Sequence, residues 1–202
     1  MRIVCLSDTH SKHNEITVPD GDLLLIAGDV THRGKRPEVE AFSAWVAQLP
    51  HPHKVLIGGN HDFLLETEPP CIPTVTYLLD ELGEVAGLRI YGSPFGPWRG
   101  KWAFPYQRGA EARAHWQKLP DQVDILLTHT PPYGILDKSS SGVSLGCEML
   151  LERLKVVQPK VHIFGHIHAS YGRQRNGGTE FINASNYNSR RGLVNAPVVF
   201  GI

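Results

Sequence analysis

The sequence predicts an α/β layered fold with a ligand site along one rim. Short apolar runs at residues 3–6, 23–27, 55–57, 88–91, 125–127 and 161–164 read as buried strands. Segments with apolar residues at helical spacing alternate with them, which implies layers of helices on sheets. Polar clusters follow directly on five of those runs, and the carboxyl edge of parallel strands is where open α/β sheets bind ligands. At 202 residues the chain is long enough for one sizeable core, and residues 1–202 are read as a single domain.

The elements follow in order. The run at 3–6 leads into Asp8-Thr9-His10, and the run at 23–27 into Gly28-Asp29. A helix is expected over 37–49, with Pro37 in its first turn and Val39, Phe42, Trp45, Val46 and Leu49 on one face. The run at 55–57 leads into Gly58-Gly59-Asn60-His61-Asp62. After 88–91 comes an irregular segment, 94–105, and then a helix over 107–118. The run at 125–127 leads into Thr128-His129. Ser139-Ser140-Ser141-Gly142 reads as a mobile loop before a helix over 147–157. The run at 161–164 leads into Gly165-His166-Ile167-His168. The tail then changes character. Residues 170–175, 179–182 and 197–200 read as antiparallel strands, with Asn176-Gly177-Gly178 as a hairpin turn.

Composition narrows the function classes. Formal net charge is zero, so there is no global basic field, and a sequence-specific nucleic-acid partner is not expected. Cys5, Cys71 and Cys147 are odd in number and form no C-x-x-C, which points to reduced thiols in a reducing compartment. The stretch 1–6 is too short for a signal-peptide core, and no apolar run approaches the ~18 residues of a membrane span. A cytoplasmic protein with no membrane partner is expected. Oligomeric state is not legible.

The rim clusters supply seven candidate metal ligands: Asp8, His10, Asp29, Asn60, His129, His166 and His168. Seven is too many for one tetrahedral ion and suits two ions side by side, with Asp29 as the natural carboxylate bridge. Oxygen and nitrogen donors without cysteine suit Mn, Fe, Zn, Co or Ni. Two aspartates and a bridging hydroxide leave two divalent ions net positive, which attracts a phosphate oxyanion and activates water. His61 directly follows a ligand, so it is better placed above the metals, facing a leaving oxygen. Asp62, next in line, is expected to hydrogen-bond the His61 ring and make it a general acid.

At these residues the chain resembles the calcineurin-like metallophosphoesterases, whose pattern is D-x-H, G-D, G-N-H-D/E, H and G-H-x-H in that order. All five blocks are present between residues 8 and 168. The resemblance implies a four-layer α/β/β/α sandwich, with the antiparallel tail in its second sheet. It implies one ion on Asp8, His10, His168 and Asp29, and a second on Asn60, His129, His166 and Asp29, manganese being the first choice. It also implies His61 as the catalytic histidine. Tyr91-Gly92-Ser93-Pro94-Phe95, Thr128-His129-Thr130-Pro131-Pro132, Gly146-Cys147-Glu148 and Phe181-Ile182-Asn183-Ala184-Ser185 are similar to the metallophosphoesterase-domain-containing branch, whose members include cyclic-nucleotide phosphodiesterases. Gly28-Asp29-Val30-Thr31-His32-Arg33-Gly34 resembles the G-D-x-V-D-R-G motif of protein serine/threonine phosphatases, with His32 in place of an aspartate.

The remaining candidates have a substrate reading and a packing reading. Arg33 and His32 follow Asp29 closely and could approach a substrate phosphate. The segment 94–108 carries Phe95, Trp98, Trp102, Phe104 and Tyr106 among Arg99, Lys101 and Arg108. It is either a wall on which a nucleobase stacks or a loop pinned to the body by its rings, the commoner use of aromatics. Trp98 and Tyr133 are the candidates for lining the pocket. Cys147 reads as a packing residue and His162 as a core histidine. His51 and His53 precede a strand and belong at the opposite edge, while His13 and His115 read as surface residues. The expected activity is hydrolysis of a small phosphoester by metal-bound hydroxide, most simply of a nucleotide-type diester, with His61 as acid. Monoester or phosphoprotein hydrolysis is the alternative, a non-catalytic scaffold is the second class, and a DNA nuclease, against which the neutral charge argues, is the third.

Overall fold

A computed structural model describes residues 1–68, 72–98, 100–188 and 192–202; Cys71 and Arg99, both singled out above, lie outside the described residues. The strands are β1 (Arg2–Leu6), β2 (Leu23–Ile26), β3 (His53–Leu56), β4 (Thr76–Tyr77), β5 (Glu81–Val85), β6 (Leu88–Ser93), β7 (Ile125–Thr128), β8 (Val161–Phe164), β9 (Gly172–Asn176), β10 (Thr179–Asn183), β11 (Tyr187–Asn188), β12 (Gly192–Leu193) and β13 (Val198–Gly201). The helices are α1 (Arg36–Ala47), α2 (Phe63–Thr67), α3 (Ala110–Trp116) and α4 (Glu148–Val157).

One sheet has the order β13-β1-β2-β3-β4 and the other β5-β6-β7-β8-β10-β9. Each has a parallel centre, with Cys5 opposite Leu25 and Leu25 opposite Val55 in the first, and Tyr91 opposite Leu126 and Leu126 opposite His162 in the second. Because successive side chains alternate faces, each apolar run serves two interfaces. Ile3, Cys5, Leu23, Leu25 and Val55 meet Ile90, Ile125, Leu127 and Ile163 between the sheets. Val4, Leu6, Leu24 and Ile26 turn the other way, onto Val39, Phe42 and Val46 of α1. Leu126, Phe164 and Phe181 pack on Trp116, Leu150 and Leu154 of α3 and α4. The result is the expected α/β/β/α sandwich, with both sheet faces covered, as parallel sheets require. Among the described residues no helix is long and apolar enough to cross a membrane.

Several local expectations are corrected. The 172–176 and 179–183 hairpin joins the second sheet as expected, but β10 runs parallel to β8. The last strand, β13, leaves the tail altogether and pairs antiparallel with β1, Cys5 opposite Val198, so it closes the edge of the first sheet. The loop expected at 139–142 is present and closes as a turn, with Gly142 N–H donating to Ser139 O at 2.9 Å and Ser139 N–H to Val143 O at 2.9 Å. The helix expected from 107 begins after Gly109, whose φ of 85° interrupts the helical path. His13 and His115 are buried, not superficial. His13 packs between Phe42 and Trp45, and His115 lies among Phe95, Tyr106 and Trp116 with Nε2 3.1 Å from Ser93 Oγ. Cys5 and Cys147 are buried free thiols, and burial raises the Cys5 thiol far above its usual range.

Candidate metal centre

The five polar clusters meet on one rim because each leaves the carboxyl end of a parallel strand. Four ligand positions carry left-handed backbone that only glycine adopts freely: Asp8 (φ 58°), His10 (φ 44°), Asp29 (φ 52°) and His166 (φ 66°). Each costs on the order of 1–3 kcal/mol and persists only where its surroundings enforce it. Here they do. Asp8 N–H donates to Gly28 O at 3.0 Å and His10 N–H to Asp29 O at 3.0 Å. His166 N–H donates to the Asp8 carboxylate at 3.0 and 3.1 Å, and His61 N–H to Asp29 Oδ1 at 2.8 Å. The approach at Gly165 is so close that a Cβ there would stand 2.3 Å from Asp8 Oδ2, so the G-H-x-H glycine is a steric necessity.

The ligand side chains form two groups. Asp8, His10 and His168 offer donor atoms within 4.8 Å of one another, and so do Asp29, His129 and His166. In the first group His10 Nε2 and His168 Nε2 stand 3.2 Å apart, and His168 Nε2 lies 3.4 Å from Asp8 Oδ1. In the second, Asn60 Oδ1 lies 3.0 Å from His129 Nε2 and 2.8 Å from His166 Nδ1. Asp29 joins them, its Oδ2 3.4 Å from His129 Nε2 and 3.8 Å from His10 Nε2. His129 Nδ1 donates to Ala27 O at 2.7 Å, which turns Nε2 toward two oxygen acceptors. Lone pairs converge on lone pairs, and only a shared proton or a cation relieves that. This donor set of carboxylate, amide oxygen and imidazole fits divalent transition metals.

The electrostatics agree. Burial alone would raise Asp8, but the hydrogen bond and charge of His168 outweigh it and hold the carboxyl at about 2. Burial likewise opposes ionisation of Asp29, yet the His129 charge and hydrogen bond keep it well below the usual carboxylate range. Burial is overcome at His129 too, where the Asp29 charge lifts the imidazole to about 9. His166 is pushed down to about 3 by burial and by His129, so its lone pair stays available.

The other expected site residues are placed differently from one another. His61 lies beside His10, ring centroids 4.7 Å apart, with Nδ1 donating to His32 O at 2.8 Å. Asp62 is not its partner. That carboxylate is fully buried beneath the loop, where it accepts from Thr31 N at 2.9 Å, Thr31 Oγ1 at 2.6 Å and Gly59 N at 2.8 Å. Burial and the nearby Asp29 charge raise it to about 6. The His32 ring stacks on His61 at 5.9 Å. Arg33 is exposed and its backbone N–H is bound to Glu38. Trp98 packs against His166 at 4.6 Å and against His129 at 5.7 Å, and Trp102 against His61 at 4.8 Å. Phe104 and Tyr106 are buried and pin segment 94–108 to the body, while Trp98 and Trp102 pack on histidines of the rim. Tyr133 is exposed, and its N–H donates to Cys147 O; it is not among the residues lining the cavity beside His166 and His168. Tyr187 was not foreseen. Its ring lies 4.9 Å from His10 and 5.3 Å from His168, in a stretch with no periodic or motif signal.

Comparison with known proteins agrees with this site. The profile of the calcineurin-like phosphoesterase family matches residues 1–170. Metallophosphoesterase domain-containing protein 1 of Homo sapiens is 37% identical over 230 residues, covering 100% of this chain and 71% of that protein. A UPF0046 protein of Caenorhabditis elegans is 38% identical over 222 residues, covering 100% and 75%. Phosphopantetheinyl hydrolase of Mycobacterium tuberculosis superposes with a TM-score of 0.59 at 13% identity over 91% of this chain and 88% of its own. GAP50, the anchor in the inner membrane complex of Plasmodium, does so with a TM-score of 0.56 at 14% identity over 98% and 80%. At those identities the two structures show a shared fold only, and that fold carries both an enzyme and an anchor. The protein belongs to the calcineurin-like phosphoesterase family, whose chemistry is metal-dependent phosphoester hydrolysis.

Proposed function

We propose that the protein is a phosphodiesterase for small nucleotide-type substrates, cyclic nucleotides among them, working with two divalent ions, manganese the first choice. The observation that carries this reading is the frame around the ligand groups. His61 and Tyr187 stand beside one group, Trp98 borders the other, and Trp102 packs on His61. Flat apolar faces suit a nucleobase. Beside His166 and His168 opens a cavity of about 390 Å³, lined by Ser139, Ser140 and Leu145, which has room for a nucleoside arm.

Asp8, His10 and His168 would hold one ion and Asn60, His129 and His166 the other, with Asp29 shared. When bound, the ions supply an activated water and neutralise charge on the phosphoryl oxygens. The protein's own part is orientation and proton transfer. The His61 backbone N–H on Asp29 Oδ1 fixes that residue's distance from the shared carboxylate. Its Nδ1–H is spent on His32 O, so the acid form carries a second proton on Nε2, which passes to the leaving oxygen and leaves the neutral Nδ1–H ring. The buried free thiols support a reducing, cytoplasmic setting.

The test is hydrolysis of bis-p-nitrophenyl phosphate and of 2′,3′- and 3′,5′-cyclic AMP by protein stripped of metal and reloaded with manganese. Metal-dependent cleavage of the diesters is expected. Rapid cleavage of p-nitrophenyl phosphate or a phosphopeptide without diester cleavage would make the protein a monoesterase. Two bound ions with no turnover of any ester would make it a scaffold.

A further inference from the structure

We infer that Glu38 is the positioning residue for His61, acting through the peptide bond between His32 and Arg33; the kinetic part of this inference rests on the acid role proposed for His61. Glu38 sits at the third position of α1, where its Oε2 accepts the Lys35 N–H at 2.9 Å. Of its glutamate a capping box asks only that contact. Glu38 makes four more: Arg33 N–H donates to Oε1 at 3.2 Å and to Oε2 at 3.1 Å, while His32 N–H at 3.2 Å and Ser11 Oγ at 3.0 Å donate to Oε1. The carboxylate therefore gathers the loop before α1 and ties it to Ser11, the neighbour of His10.

The Arg33 N–H and the His32 carbonyl belong to one planar trans peptide, so they point in opposite directions. With the N–H fixed on Glu38, the carbonyl must face away from it. That is where His61 Nδ1 lies, 2.8 Å from His32 O. A carbonyl accepts only, so it holds Nδ1 protonated and leaves Nε2 as the proton-exchanging atom. A carboxylate thus does orient His61, but it is Glu38 at one remove, since Asp62 is taken up by Thr31 and Gly59.

Glu38→Gln keeps the size of the side chain but replaces one acceptor oxygen with a donor, and Glu38→Asp keeps the charge at shorter reach. The first readout is the ¹⁵N spectrum of the histidine rings in zinc-loaded protein, with His61→Gln used to assign the His61 signals. Glu38→Gln should shift His61 away from the Nδ1–H form, at unchanged zinc content. The second readout is leaving-group dependence. A poor alkoxide leaving group needs a proton more than p-nitrophenolate does. Glu38→Gln should therefore lower kcat on cyclic AMP about tenfold, with KM unchanged, and change bis-p-nitrophenyl phosphate turnover far less. In a His61→Gln background it should add nothing, and Glu38→Asp should restore part of the loss. An unchanged His61 tautomer overturns the inference, as does an equal loss on both substrates accompanied by loss of zinc. If His61→Gln itself shows no leaving-group dependence, the acid role fails, and the tautomer shift in Glu38→Gln still decides the positioning claim.

Discussion

Asp62 accepts two hydrogen bonds from Thr31, one from its N–H at 2.9 Å and one from its hydroxyl at 2.6 Å. With Gly59 N–H as a third donor, the carboxylate fastens the loop after β2 to the loop after β3. These loops carry Asp29 and Asn60. Asp62 is therefore a framework residue of the centre, and its removal leaves buried N–H groups unpaired. Asp62→Ala should cost on the order of 2–4 kcal/mol and reduce metal retention along with activity. Urea unfolding and metal analysis check this. A variant with normal stability and metal content but lost turnover would return Asp62 to a direct catalytic role.

Asp29 stands between the two ligand groups, within 3.4 Å of His129 Nε2 and 3.8 Å of His10 Nε2. Asp29→Asn removes a carboxylate charge that lies against histidines of both groups. Both ions should be lost together, with the metal-to-protein ratio falling from about two toward zero. Loss of a single ion would assign Asp29 to one group only.

Gly59 is packed as tightly as Gly165. A Cβ there would stand 2.4 Å from Asp29 Oδ1 and 2.8 Å from His129 Cε1. Gly59→Ala must push the shared carboxylate or the histidine aside, so metal affinity should fall by tenfold or more while strands β2 and β3 remain paired. Isothermal titration with manganese and circular dichroism on the same sample separate the two effects.

His61 differs from the ligands in that its ring faces a carbonyl and other rings, with no acidic side chain as partner among the described contacts. His61→Gln should lower turnover by about a hundredfold or more and leave metal content near that of the parent. Collapse of metal content would make His61 structural.

How much of this was legible depends on how local the signal is. An apolar run that stops abruptly at Asp8, Asp29, Asn60, His129 or His166 announces a strand end and a rim residue at once, and all five meet at one place. The partner of Asp62 was not legible, because adjacency to His61 in sequence says nothing about where a side chain turns once Asn60 and His61 enter a tight loop. His13 has polar neighbours in the chain, Lys12 and Asn14, but Phe42 and Trp45 arrive over it only on folding, as Phe95 and Tyr106 do over His115. The pairing of β13 with β1 joins residues at opposite ends of the chain, and no spacing pattern encodes that contact. Helix α2 is barely one turn past Asp62, too short for a period to show.

His162 gives the fold a predictable acid sensitivity. It is buried on β8 between Phe164 and Phe181, with Nε2 2.8 Å from Thr128 Oγ1. The Thr128 hydroxyl donates to Thr130 O at 2.7 Å, so the imidazole Nε2–H is the donor between them, and Nδ1 is left buried without a partner. Protonating that nitrogen would bury an unpaired charge, and burial accordingly pushes the group down to about 3 from its ordinary 6.5. Between these values the unfolded chain binds the extra proton and the folded chain does not. The contribution is complete above about pH 6.5 and is lost as pH falls toward 3. His162→Phe removes the titrating group while keeping an aromatic ring beside Phe164. The parent should lose on the order of 2 kcal/mol more than the variant between about pH 7 and pH 4.5, read from urea midpoints of the two proteins at each pH. Parallel losses would mean that His162 titrates alike in both states, as an accessible histidine does.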